Sequence, residues 1–303
     1  MPLTEHLAIV SLTREVSTRD LLRASAAVQK QIARDFTPYW GLSATVHAFD
    51  DLESVPSDYT QIVVFGDADE LVGRLEFAIG EEFAAQLIDD FEGDRLSGLH
   101  LNAFTRQPFA LVSATGDWTV TLSHETLDMI ADPFGNRLVA AAHPQDPQQR
   151  VNYLVEVCDP CQATWYPVNG VRVSDFYTPK YFDPVWVDRS RYSFTGEITR
   201  PLEILEGGYV SWIDPRDSGL YSLAGGESEP VLVADIMQLA RTFAPLRTVV
   251  DSNPRTPDLT LEPVRPARTA AVGDGAHDAV REASEGAALR TAEAVYSVAA
   301  GRG

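Results

Sequence analysis

Residues 118–133 read Trp-Thr-Val-Thr-Leu-Ser-His-Glu-Thr-Leu-Asp-Met-Ile-Ala-Asp-Pro, and inside them His124, Glu125 and Asp128 form a His-Glu-x-x-Asp run. This order differs at one position from His-Glu-x-x-His. On a helix, that pattern sets two imidazoles four residues apart on one face, where they hold a metal ion. The glutamate beside the first histidine then takes a proton from metal-bound water. A carboxylate can replace the second imidazole, because zinc accepts oxygen at about the same distance as nitrogen. The run therefore predicts Zn2+ held by His124 and Asp128, with Glu125 as the catalytic base. A plainer reading competes with it. Glu125 and Asp128 would be solvated acids near a helix start, where the dipole favours them, and His124 an ordinary histidine.

A zinc site needs a third protein ligand. Asp132, eight residues beyond His124, would lie about 12 Å further along a straight helix, at a rise of about 1.5 Å per residue. It is expected instead to bond backbone at the helix end. Glu156 and Asp159 come from a later segment that can fold back over the helix, and both are candidate metal ligands. His100 is an outside candidate. His6, His47, His143 and His277 have no partner pattern.

Cys158 and Cys161 form a Cys-x-x-Cys pair. A redox role would require a strand before the pair and a helix after it, within a βαβ unit. No such unit is evident around it. A four-cysteine zinc site would need a second pair, which the chain lacks. The plain reading is a tight turn with two buried thiols, and a disulfide oxidoreductase stays as a third expectation.

The elements that must position these residues follow from the hydrophobic pattern. Ser17 to Asp20 has the form of a capping box, and Leu21, Val28, Ile32 and Phe36 continue at helical spacing until Pro38 and Gly41. Residues 43–49 and 60–65 read as strands. Residues 70–92 read as helical around Phe83, Ala84 and Leu87. Residues 109–113 read as a third strand, closed by a turn at Gly116 and Asp117. The His124 helix follows at once. Pro133 stops it, since the residue before a proline avoids helix. Later segments are short and rich in turns, among them 153–157, 170–173, Gly207-Gly208 and 214–219. The aromatic group Tyr166, Phe176, Tyr177, Tyr181, Phe182 and Trp186 is expected to build a core there. Tyr177 could also donate a hydrogen bond to a transition state.

The fold class is α+β. The expected division is 1–145 with the metal helix, 146–250 as a smaller irregular or β-rich subdomain closing the site, and 251–303 as a tail. In the tail, Pro254, Pro257, Pro263 and Pro266 mark a linker, and the alanine-rich remainder reads as either a peripheral helix or a disordered segment.

The chain has 303 residues, 44 acidic against 24 basic, and a net charge of −20; Lys30 and Lys180 are its only lysines. This balance repels phosphate backbones and anionic lipid, which argues against nucleic acid and membrane partners. The apolar run 7–12 is short for a leader, and no stretch approaches a membrane span. A cytoplasmic protein is expected.

The run from Ser123 to Pro133 resembles a family of uncharacterised bacterial and phage-associated proteins that carry Ser-His-Glu-x-Leu-Glu/Asp-x-x-x-Asp-Pro. Residues 29–36 with Trp40, residues 153–160 and 170–179, and Gly207-Gly208-Tyr209 extend the resemblance across about residues 8–215. It implies a zincin-like metallopeptidase core, a mixed sheet with an edge strand beside the metal helix. The chain departs from ordinary zincins at Asp128, and no Gly-x-x-His follows. Two functions are therefore expected as rivals. One is a metal-dependent peptidase or amidase acting on a peptide or protein. The other is a catalytically inactive zincin-like structural or interaction protein, a component or cargo of a phage-derived particle, with the tail as an assembly contact.

Overall fold

The computed structural model describes residues 5–93, 95–239, 246–251 and 265–266. In chain order the first half holds β1 (Glu5–Ser11), α1 (Thr18–Lys30), α2 (Thr37–Trp40), β2 (Ala44–Phe49), β3 (Thr60–Phe65), α3 (Val72–Ile79), α4 (Glu81–Glu92), β4 (Gly98–Asn102), β5 (Pro108–Ser113) and α5 (Trp118–Ala131). The second half holds β6 (Leu138–Ala142), β7 (Arg150–Leu154), β8 (Thr164–Val168), β9 (Val171–Ser174), β10 (Tyr209–Asp214), β11 (Gly219–Ala224), β12 (Val231–Asp235), α6 (Ile236–Leu239), α7 (Leu246–Asp251) and β13 (Arg265–Pro266). The architecture is mixed α and β. No helix among the described residues is long and apolar enough to cross a membrane.

The first sheet has the order β2-β1-β3-β5-β4. Its first four strands are parallel, and β4 runs antiparallel to β5 at the edge. The sheet grows in both directions from β1, so right-handed crossovers place their helices on opposite faces. α1 and α5 pack on one face. α3 and α4 cover the other, where Leu75, Ile79, Leu87 and Phe91 meet Val63, Phe65, Leu99, Leu101 and Leu111. Leu7, Ala8, Ile9 and Val10 of β1 are all fully buried, as a strand covered on both faces requires. The apolar run 7–12 is thus largely the central strand.

The α1 capping box forms: Asp20 N–H donates to Ser17 Oγ at 3.2 Å, and the Ser17 hydroxyl donates to Asp20 Oδ2 at 2.7 Å. Past Lys30 the helix widens into a π-helical turn over Gln31–Phe36. The helical pattern expected over 70–92 divides at Gly80, whose φ of 91° lies in the left-handed region that favours glycine.

A second sheet has the order β12-β11-β10-β7-β6, and a third has β13-β8-β9. The boundary expected at 145/146 falls between β6 and β7, which pair antiparallel, so the second sheet already starts at Leu138. Of the aromatic group, Tyr166, Phe176, Tyr177 and Tyr181 are buried, whereas Trp186 is 57% exposed. Of the proline-marked linker, only Arg265 and Pro266 are described, as β13. His277 and the alanine-rich tail lie outside the described residues.

Candidate metal centre

Every residue of α5 from Val120 to Ala131 is buried. A helix buried all round must find internal partners for its polar side chains. Thr126 donates to Leu122 O at 2.6 Å, and Ser123 Oγ accepts from Ser174 N–H at 2.6 Å. Glu125 and Asp128 are therefore not solvated acids: they are 2% and 0% exposed.

His124 and Asp128 point the same way. His124 Nε2 lies 3.0 Å from Asp128 Oδ2 and 3.1 Å from Asp159 Oδ1. The chain after β7 supplies the roof. Cys158 N–H donates to Asp128 Oδ1 at 2.9 Å, and residues 159–161 form one turn of 3-10 helix. The turn of two buried thiols read from the sequence is present, and both cysteines are free. This turn brings Cys158 in with His124 and Asp128: one ligand atom from each lies within 4.8 Å of the other two. Glu156 has a different setting. Its Oε2 is 3.7 Å from Arg247 Nη1 and 4.0 Å from His100 Nε2. Asp159 is shared, with Oδ1 on His124 and Oδ2 accepting from Arg247 Nη1 at 2.5 Å.

β4 closes the side of the site. Leu99 and Leu101 join the α3–α4 face, so His100 between them points toward α5. Its Nδ1 lies 3.5 Å from Glu125 Oε2, and its Nε2 is 3.3 Å from Asp132 O. Gly98 permits this approach, since a Cβ there would sit 3.0 Å from Glu125 Cγ and closer still to Thr121 Cγ2. Asp132 caps the end of α5, as its spacing predicts: Oδ2 accepts from Arg137 N–H at 2.5 Å. Of the remaining histidines, His6 stacks on Tyr59, His47 lies tilted against the same ring, and His143 meets Trp212 edge-on.

The electrostatics follow from burial. Burial by itself would lower the His124 pKa. The carboxylates of Asp128 and Asp159, with Glu125 behind, outweigh it and raise the ring from 6.5 to about 10. Burial pushes Glu156 well up, Arg247 opposes this, and the surrounding aspartates add to it. Asp159 also suffers burial, but Arg247 and His124 overcome that and hold it below its ordinary value. Burial drives the Cys158 thiol well up.

Compared with known protein families, curated proteins and solved structures, the chain gives no match. The site must therefore be judged on its chemistry. His124 Nδ1, Glu125 Oε2 and both Glu156 oxygens are buried without a hydrogen-bond partner. Buried carboxylates must be protonated, paired or bound to a cation, and Arg247 and His124 meet part of that need here. Imidazole, carboxylate and thiolate together suit zinc, which takes all three donor types. The residues present fit that ion. The sequence pairs Cys158 with Cys161 and does not point to it as a partner of His124 and Asp128, nor does it point to Arg247. The signal for Cys158 was its place beside Asp159; Arg247 had none.

A second group of acids, Asp67, Asp69 and Glu92, is exposed. Solvated carboxylates need no ion to explain them.

Proposed function

We propose that the chain is a metal-dependent hydrolase of zincin type, a peptidase or amidase. His124 and Asp128 would hold zinc with Cys158, and Asp159 stands by as an alternative carboxylate. The observation that carries this reading is the buried His124, Asp128 and Cys158 trio on and over a helix that directly follows β5. The antiparallel edge strand β4 beside that helix supports a zincin-like core. When bound, zinc would polarise a substrate carbonyl and make water acidic enough to attack at neutral pH. Glu125 would accept the proton. His100 Nδ1 lies beside that carboxylate, 3.5 Å from Glu125 Oε2. Asp128 keeps its orientation through the Cys158 N–H bond. Cys158 and His124 must each release a proton to solvent before either can bind a metal.

Metal analysis of purified chain tests the reading. About one zinc per chain is expected, lost in His124→Ala and in Cys158→Ser. Glu125→Gln should keep the metal and lose hydrolysis of an unstructured protein such as casein. A chain that takes up no metal at micromolar zinc sinks the proposal.

One feature favours the rival reading, a catalytically silent zincin-like structural or interaction protein. His124, Glu125, Asp128 and Asp159 are all at most 2% exposed. The cavity bordering Glu156, Asp159, Tyr177, Tyr181 and Tyr209 has a volume of only about 10 Å³. Metal-loaded chain with no hydrolysis, indistinguishable from Glu125→Gln, would decide for this second reading.

A further inference from the structure

We propose that α7 is an internal stopper on this centre, with Arg247 as the group that closes it. The inference rests on the reading of His124, Asp128 and Cys158 as a metal site, and concerns how that site is regulated. Arg247 is 4% exposed, and its Nη1 engages Asp159 Oδ2 at 2.5 Å with Glu156 Oε2 at 3.7 Å. Its guanidinium stands 5.9 Å from the centre of the Tyr209 ring, and Tyr209 lines the same small cavity as Asp159. A fixed positive charge here does two things. It occupies the carboxylate that faces His124 from the roof, and it repels any cation approaching that carboxylate.

α7 is held at the neighbouring loop and in the core. Arg247 N–H donates to Gly135 O and Leu246 N–H to Asn136 Oδ1, each at 3.1 Å, in the loop that follows α5. Val250 is fully buried in the cluster with Leu99, Leu101, Leu220 and Val233. The helix packs on β4 and β12, the edge strands of the two large sheets. Six residues are too few to hold a helix alone, so α7 keeps its form only while docked. Undocking it would carry the arginine out and free Asp159 and Glu156 together.

Titration of the full-length chain with zinc, and with cobalt(II) to report thiolate ligation by Cys158, tests this. Arg247→Met removes the charge and keeps an apolar stem; it should bind either metal at least about tenfold more tightly, the scale of one screened charge beside a carboxylate. Val250→Ala leaves every charge in place but loosens the docking, and should also tighten binding, by a few-fold. Arg247→Lys should stay at the wild-type affinity. If all chains bind metal equally, or Arg247→Met and Val250→Ala bind more weakly, α7 is only structural and the stopper is overturned while the metal site stands. If no chain binds metal, the underlying reading fails and the stopper falls with it. Val250→Ala keeps the question answerable should Arg247→Met not fold.

Discussion

In the presence of a chelator, the chain should carry a pH signature written by His124. The ring sits between Asp128 and Asp159, and its pKa stands at about 10 against an ordinary 6.5. A tenfold change in proton affinity is worth about 1.4 kcal/mol, so this rise corresponds to roughly 5 kcal/mol. Above pH 6.5 the unfolded chain releases the proton while the folded chain keeps it. The stabilisation is therefore complete below 6.5 and is lost as the pH climbs from there through about 10. Urea unfolding in chelator at steps across that window should show the unfolding free energy falling, by about 1.4 kcal/mol per pH unit in the middle of the range. Asp128→Asn removes the closer carboxylate charge, while its amide oxygen can still accept from Cys158 N–H. This variant should lose about 3 kcal/mol at pH 7, the low end for breaking a buried ion pair, and its pH profile should flatten. A wild-type profile without slope, or an unchanged slope in Asp128→Asn, would refute the reasoning that a charged His124 is held by these acids.

Other expectations are as direct. Gly98→Ala places a methyl group against Thr121 and Glu125 and should destabilise the fold by ~1–3 kcal/mol, measured by denaturant midpoint; a neutral result would mean that β4 and α5 are not pressed together. Asp175 is driven up to about 6 by burial, against hydrogen bonds from Thr195. Its folded form therefore binds a proton more readily than the unfolded chain between about pH 4 and 6. Stability should fall across that window by ~3 kcal/mol relative to Asp175→Asn, which cannot titrate; parallel profiles would count against it. Cys158 and Cys161, buried and with raised pKa values, should react slowly with iodoacetamide at pH 7 and rapidly in urea. Fast labelling of the native chain would contradict the sealed roof.

The parts of the fold legible in the sequence are those fixed by local patterns. The Ser17 box starts α1, β2 stands out by its alternation, and β3 and β5 stand out as apolar runs because strands buried on both faces need no polar alternation. β1 escaped notice because residues 7–12 were weighed only as a leader. β4 escaped because it is five residues long, carries His100, and gains its identity from pairing with β5. In the site, the shared direction of His124 and Asp128 follows from helical periodicity alone. The arrival of Asp159 was a matter of chain reversal, which the turn at Cys158 to Cys161 supplies. Arg247 pairs with Asp159 across 88 residues, and no local pattern encodes such a contact.

The contributors to this polar nest are scattered along the chain in the order His100, His124, Glu156, Asp159 and Arg247. On a ribosome the N-terminal parts emerge and fold first. The acids and imidazoles are thus made well before the guanidinium that neutralises two of them. A nascent polypeptide has an interval, from the synthesis of Cys161 to that of Leu246, in which these acids lack their arginine partner. That interval is when an ion from the surrounding solution would meet the least resistance on its way in.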